Sequence, residues 1–110
     1  MSVREGPRVT KSRFGSADAL FDELDRVTRE ISGRTDRAPA TMLFRELSPV
    51  EQVAARIEIA GPRRGLMRMR GGVDVRGDGS MEAYVGRTSR IVIELKPGET
   101  MVDALRDRFL

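Results

Sequence analysis

Neither cysteine nor histidine occurs anywhere in the 110 residues, and tryptophan is missing as well. The first two absences remove whole classes of chemistry. Zinc and haem sites depend on thiolate or imidazole ligands, whose softness and geometry suit those metals. Cysteine nucleophiles, serine–histidine dyads and imidazole acid–base catalysis lack their parts. No disulfide can form, so nothing in the fold calls for an oxidising compartment, and a cytoplasmic location is expected. Neither a cofactor nor a metal is expected.

Long apolar runs are missing too. Arg4, Glu5, Arg8, Lys11 and Arg13 interrupt the start of the chain, where a secretory signal would need a continuous apolar stretch. No segment approaches the roughly 18 apolar residues of a spanning helix, so no membrane association is expected. What is present suits one folded unit: 39% hydrophobic and 34% charged residues, enough for one core and too short for two.

The net charge of +3 is concentrated. Residues 1–15 hold Arg4, Arg8, Lys11 and Arg13 against Glu5 and account for all of it, while acids and bases balance over the rest. This segment contains Gly6-Pro7 and little periodicity, and reads as a flexible basic arm ahead of a domain spanning residues 16–110.

Within the domain, Ser16 is placed to cap a helix, with Asp18 in its first turn complementing the dipole. Leu20, Phe21, Leu24, Val27 and Ile31 follow at helical spacing, and Gly33 is the expected stop. Residues 41–47 read as a short strand. Ser48-Pro49-Val50-Glu51 matches a capping box with proline at the first helical position. One helical turn and then a strand ending at Ala60 is the favoured continuation, because Ile57 and Ile59 are β-branched and Gly61-Pro62 breaks the chain.

The second half alternates with period two. Met67, Met69, Val73 and Val75 share one side, with Gly71-Gly72 suggesting a bulge or bend. Gly77-Asp78-Gly79 turns the chain into Met81, Ala83 and Val85, and the glycines of this turn explain the Arg76-Gly77-Asp78 tripeptide without an adhesive role. Ile91, Ile93 and Leu95 form the inner row of another strand. After Pro97-Gly98, Thr100 and Asp103 open a last helix carrying Val102, Leu105 and Phe109. The expected fold is therefore α+β: an antiparallel meander of four to five strands, with an N-terminal and a C-terminal helix packed on one face and the other face wet.

The wet face is expected to carry Arg56, Glu58, Arg68, Arg70, Asp74, Arg76, Glu82, Tyr84, Arg90 and Glu94. Acids interleave with arginines, so ordinary cross-strand pairing is the plain reading of this set. Candidate contacts to phosphate or to an acidic partner are Arg4, Arg8, Lys11 and Arg13 of the arm, the run Arg63, Arg64, Arg68 and Arg70, and Tyr84 as a stacking platform. Met42, Met67, Met69, Met81 and Met101 suit core packing first and an adaptable interface second. No pair of carboxylates stands out for acid–base work, and no enzyme activity is expected. The leading expectation is a small protein-interaction or assembly module, including self-association, that docks through a sheet edge and the basic arm. The alternative is a nucleic-acid-associated accessory protein that binds phosphates through the arm and the Arg63–Arg70 run.

Overall fold

The structure, a computed structural model, describes residues 1–37, 53–61, 69–86 and 89–109. In chain order these form β1 (Ser2–Glu5), β2 (Arg8–Lys11), α1 (Ala17–Arg37), β3 (Val53–Ala60), β4 (Arg70–Arg76), β5 (Met81–Val85), β6 (Ile91–Val92) and α2 (Met101–Phe109). The strands make one antiparallel sheet in the order β2-β1-β3-β4-β5-β6. Both helices lie on one face, α1 over β3 and β4, α2 over β4 and β5. The α+β class and the shared helix face agree with the sequence, and the sheet is one hairpin larger than expected.

That hairpin corrects the reading of residues 1–15 as a flexible arm. β1 pairs with β2 in the register Ser2↔Lys11 to Glu5↔Arg8, and its other edge pairs with β3, Val3 lying opposite Ile57. Gly6-Pro7 is its two-residue loop. Gly6 takes a φ of 56°, and the Pro7 ring fixes a negative φ, the combination of a type II′ turn that matches strand twist. Arg4, on β1, and Arg8 and Lys11, on the edge strand β2, are thus part of the sheet, with Arg13 just beyond it.

Helix α1 starts as expected, with Ser16 Oγ accepting from the Ala19 amide at 3.1 Å. Phe21, Leu24, Thr28 and Ile31 form its buried stripe, and Thr28 Oγ1 donates back to the Leu24 carbonyl at 2.8 Å, so the buried hydroxyl is satisfied. Gly33 does not end it. Its φ is not positive, and the helix runs on to Arg37. A mid-helix glycine costs only about 1 kcal/mol. Tertiary contacts flank this one: Ser32 Oγ donates to the Gly79 carbonyl, and Arg34 pairs with Glu5 at 2.8 Å. Helix α2 is capped by Thr100 Oγ1, which accepts from the Asp103 amide at 3.1 Å. Phe109 meets Phe21 edge-on at 6.0 Å, and Arg106 pairs with Asp18, which ties the two helices together.

The core lies between helices and sheet: Ala55, Ile57 and Ile59 of β3, Val73 and Val75 of β4, Ala83 of β5 and Ile93, under Phe21, Leu24, Ile31, Ala104 and Leu105. Gly71 and Gly72 are not a bulge. They continue β4 in regular register, opposite Ile59 and Glu58, and the one irregularity between β3 and β4 falls between Val53 and Ala55. Their lack of side chains serves close packing instead. A Cβ on Gly71 would stand 2.6 Å from the Tyr84 carbonyl and 3.2 Å from Phe109, and one on Gly72 would stand 2.2 Å from the Ile57 carbonyl.

The turns behave as their residues require. Gly79 and Gly98 both take positive φ, and in Lys96-Pro97-Gly98-Glu99 the Glu99 amide donates to the Lys96 carbonyl at 3.0 Å. The expected inner row of the last strand is corrected: Ile93 is buried, while Ile91 and Leu95 are exposed; the paired residues are Ile91 and Val92, opposite Val85 and Tyr84, and just beyond them the Ile93 amide still donates to the Ala83 carbonyl at 2.9 Å. Met69 is likewise exposed, whereas Met81 and Met101 pack partly against the core. The strand expected at residues 41–47, the capping box at residues 48–51, Met42 and Met67 lie outside the described residues. Among the described residues, no helix is long and apolar enough to cross a membrane, and no group of three or more acidic side chains is placed to hold a metal ion.

Candidate functional site

The face away from the helices carries the charged chemistry. Cross-strand partners share a face, so the pairing registers define rows across the sheet. One row runs Lys11, Ser2, Glu58, Gly72, Tyr84, Val92, through all six strands. The next runs Val9, Arg4, Arg56, Asp74, Glu82.

In the second row the acids are already engaged. Asp74 accepts from Arg56 Nε at 2.8 Å and Nη2 at 3.2 Å, and Arg90 Nη1 approaches it at 3.6 Å. Glu82 faces Arg76 at 3.4 Å. The hydrogen bond to Asp74 pushes the Arg56 guanidinium further into its charged form, against the opposing effect of burial.

This face is drier than expected at its centre. Tyr84 is only 4% exposed and Asp74 only 6%. The Tyr84 ring lies flat across β4, its hydroxyl 2.8 Å from where a Gly72 Cβ would be, and Arg90 stacks over the ring at 4.4 Å. A glycine beneath and a guanidinium above leave no room for a base, so the expectation that Tyr84 is a stacking platform is corrected. Its hydroxyl is buried and has no hydrogen-bond partner among the described residues. Burial pushes the phenol above its ordinary range, partly offset by the positive charge of Arg90.

Beside this centre the sheet opens into a trough of about 1150 Å³. Short residues (Ser2, Ala60 and Gly86) lie along it, and long cations rim it: Arg4, Lys11, Arg13, Arg70 and Arg90. Among the described lining residues the one acid is Glu58. Arg4, Lys11, Arg13 and Arg70 form no ion pair among the described residues, in contrast to Arg56, Arg76 and Arg90. Cations far apart in sequence thus converge on one concave surface. Among the described lining residues five cations face one carboxylate, so the arrangement is suited to holding anions.

Of the residues singled out from sequence, Arg4, Lys11, Arg13, Arg70 and Tyr84 are brought together here. Arg8 is not: it lies opposite Glu5, in register with Ala55, and so faces the helix side. Arg63, Arg64 and Arg68 lie outside the described residues. Arg90 also belongs to the site; the sequence marks it only as part of a charged face, because its position over Tyr84 depends on the pairing of β5 with β6. No protein-family model, curated protein or solved structure matches this chain.

Proposed function

We propose that the protein is a non-enzymatic binding module whose helix-free sheet face takes the phosphate backbone of a nucleic acid. The observation that carries this reading is the convergence of Arg4, Lys11, Arg13 and Arg70, none ion-paired among the described residues, around one trough that holds Glu58 as its acid. Guanidinium groups match phosphate oxygens in fork geometry, and a concave sheet lets a backbone approach several of them at once. The second-row acids are neutralised by their own arginines, so they do not oppose an incoming polyanion. Because the Tyr84 ring is capped, binding is expected to depend on phosphate and salt far more than on base sequence.

Fluorescence anisotropy against labelled single-stranded and duplex DNA, titrated with salt, tests this. Affinity should fall linearly on logarithmic axes, and Arg4→Ala or Arg70→Ala should each reduce the slope by about 1. Arg8→Ala, on the opposite face, should leave it almost unchanged. Absence of binding at low salt, or equal effects at Arg4 and Arg8, would remove the proposal.

A further inference from the structure

The two edges of the sheet differ. The β2 edge carries Arg8 and Lys11, the charged residues with which proteins discourage strand addition. The β6 edge carries Ile91 at 63% exposure, Val92 at 51% and, just beyond, Leu95 at 41%. It is also an edge in the hydrogen-bonding sense. The Ile93 amide donates inward to the Ala83 carbonyl at 2.9 Å, so by strand alternation the amide and carbonyl of Val92 point away from β5.

The residues around Val92 read Arg90-Ile91-Val92-Ile93-Glu94, a cation and an anion symmetrically placed about three β-branched residues. We infer that β6 is a homodimer interface, in which a second copy of this chain adds antiparallel, centred on Val92, to make one continuous sheet. In that register Val92 faces the partner's Val92 and exchanges both backbone hydrogen bonds with it. Ile91 faces the partner's Ile93, and Arg90 faces the partner's Glu94 on both sides of the two-fold axis. An isologous interface needs such self-complementarity, and any one-residue slip would set side chains on the wrong face. Glu94 is exposed, and the Arg90 guanidinium, which lies 4.4 Å over the Tyr84 ring and 3.6 Å from Asp74 in the single chain, turns outward to the partner's Glu94 when the strands pair. The two-fold axis stands perpendicular to the sheet, so both troughs open on the same side.

Sedimentation equilibrium of the full chain, without nucleic acid, tests this independently of the phosphate-binding reading. The native protein should pass from a 12.3 kDa monomer to a dimer as concentration rises. Val92→Pro removes an outward-facing amide at an edge position that proline tolerates. It should weaken the dimer roughly tenfold or more, through two symmetry-related hydrogen bonds, with circular dichroism and thermal midpoint preserved. Glu94→Arg sets arginine opposite arginine and should give a monomer. Arg90→Glu sets glutamate opposite glutamate and should do the same, yet an equimolar mixture of the two variants should form a heterodimer, because every cross-strand pair is then of opposite sign. A native protein monomeric at all concentrations, a dimer indifferent to Val92→Pro and Glu94→Arg, or folded single variants that fail to associate when mixed would each overturn the inference.

Discussion

On the helix side of β4, Val73 and Val75 are covered by the apolar stripes of α1 and α2. On the other side, Gly72 and Asp74 are covered by long side chains lying flat, Tyr84 over the glycine and Arg56 and Arg90 on the carboxylate. The strand is buried on both faces, but the two burials have different physics. The helix side depends on apolar area and volume, which is non-directional and scales with what is removed from water. The outer side depends on a missing side chain and a few directional pairs. Substitutions that delete volume should therefore injure the first, and those that alter geometry the second.

The largest effect belongs to the helix side. Leu24 is fully buried among Phe21, Ile57 and their neighbours. Leu24→Ala should cost about 2–5 kcal/mol, the usual range for a truncated core leucine, read as a lower urea midpoint with an unchanged slope. A loss under about 1 kcal/mol would mean that α1 does not seal this side. Gly72→Ala, on the outer side, adds one methyl where deletion would do nothing. The new Cβ would meet the Ile57 carbonyl at 2.2 Å and Tyr84 Oη at 2.8 Å, so both backbone and ring must move. The expected cost is about 1–3 kcal/mol, accompanied by exposure of Tyr84 to solvent quenchers. Full stability with an accessible tyrosine would show that the flat ring contributes nothing.

The same contrast explains what could be read from sequence. Periodicity reports the helix side well: Phe21, Leu24, Ile57, Val73 and Val75 fall where alternation and helical spacing put them, since apolar patterning is driven by burial in one dry layer. The outer centre carries no such signature. Nothing local tells that Gly72 has Tyr84 above it, or that Arg90 caps the ring, because these depend on register between strands. The N-terminal hairpin was legible in principle, as Val3 and Val9 flank a two-residue Gly-Pro loop. Its charge masked it, since Arg4, Arg8, Lys11 and Arg13 fit a disordered arm equally well by composition. Placing those residues on a strand brings Arg4 and Lys11 beside Arg70, far away in sequence, and turns Arg8 to the other face.

The smallest effect is the most diagnostic of the outer side. Tyr84→Phe deletes a buried hydroxyl that has no partner among the described residues. Near neutral pH the change should be close to zero, or stabilising by up to about 1 kcal/mol, since no hydrogen bond is lost and a desolvated polar group is removed. Alkaline conditions separate the variant from the native protein. Burial raises the Tyr84 phenol above its ordinary 10.0, so the folded chain holds that proton more tightly than the unfolded chain. Stability from this group is therefore intact below about pH 10 and is lost as pH rises from there through the raised folded value. Tyr84 is the one tyrosine in the chain, so phenolate absorbance reports it without ambiguity. The native titration should be displaced to higher pH than that of the urea-unfolded chain, and Tyr84→Phe should abolish the corresponding alkaline loss of stability. A native phenol that titrates like the unfolded one would place the ring in water, and the contrast between the two faces of β4 would fail with it.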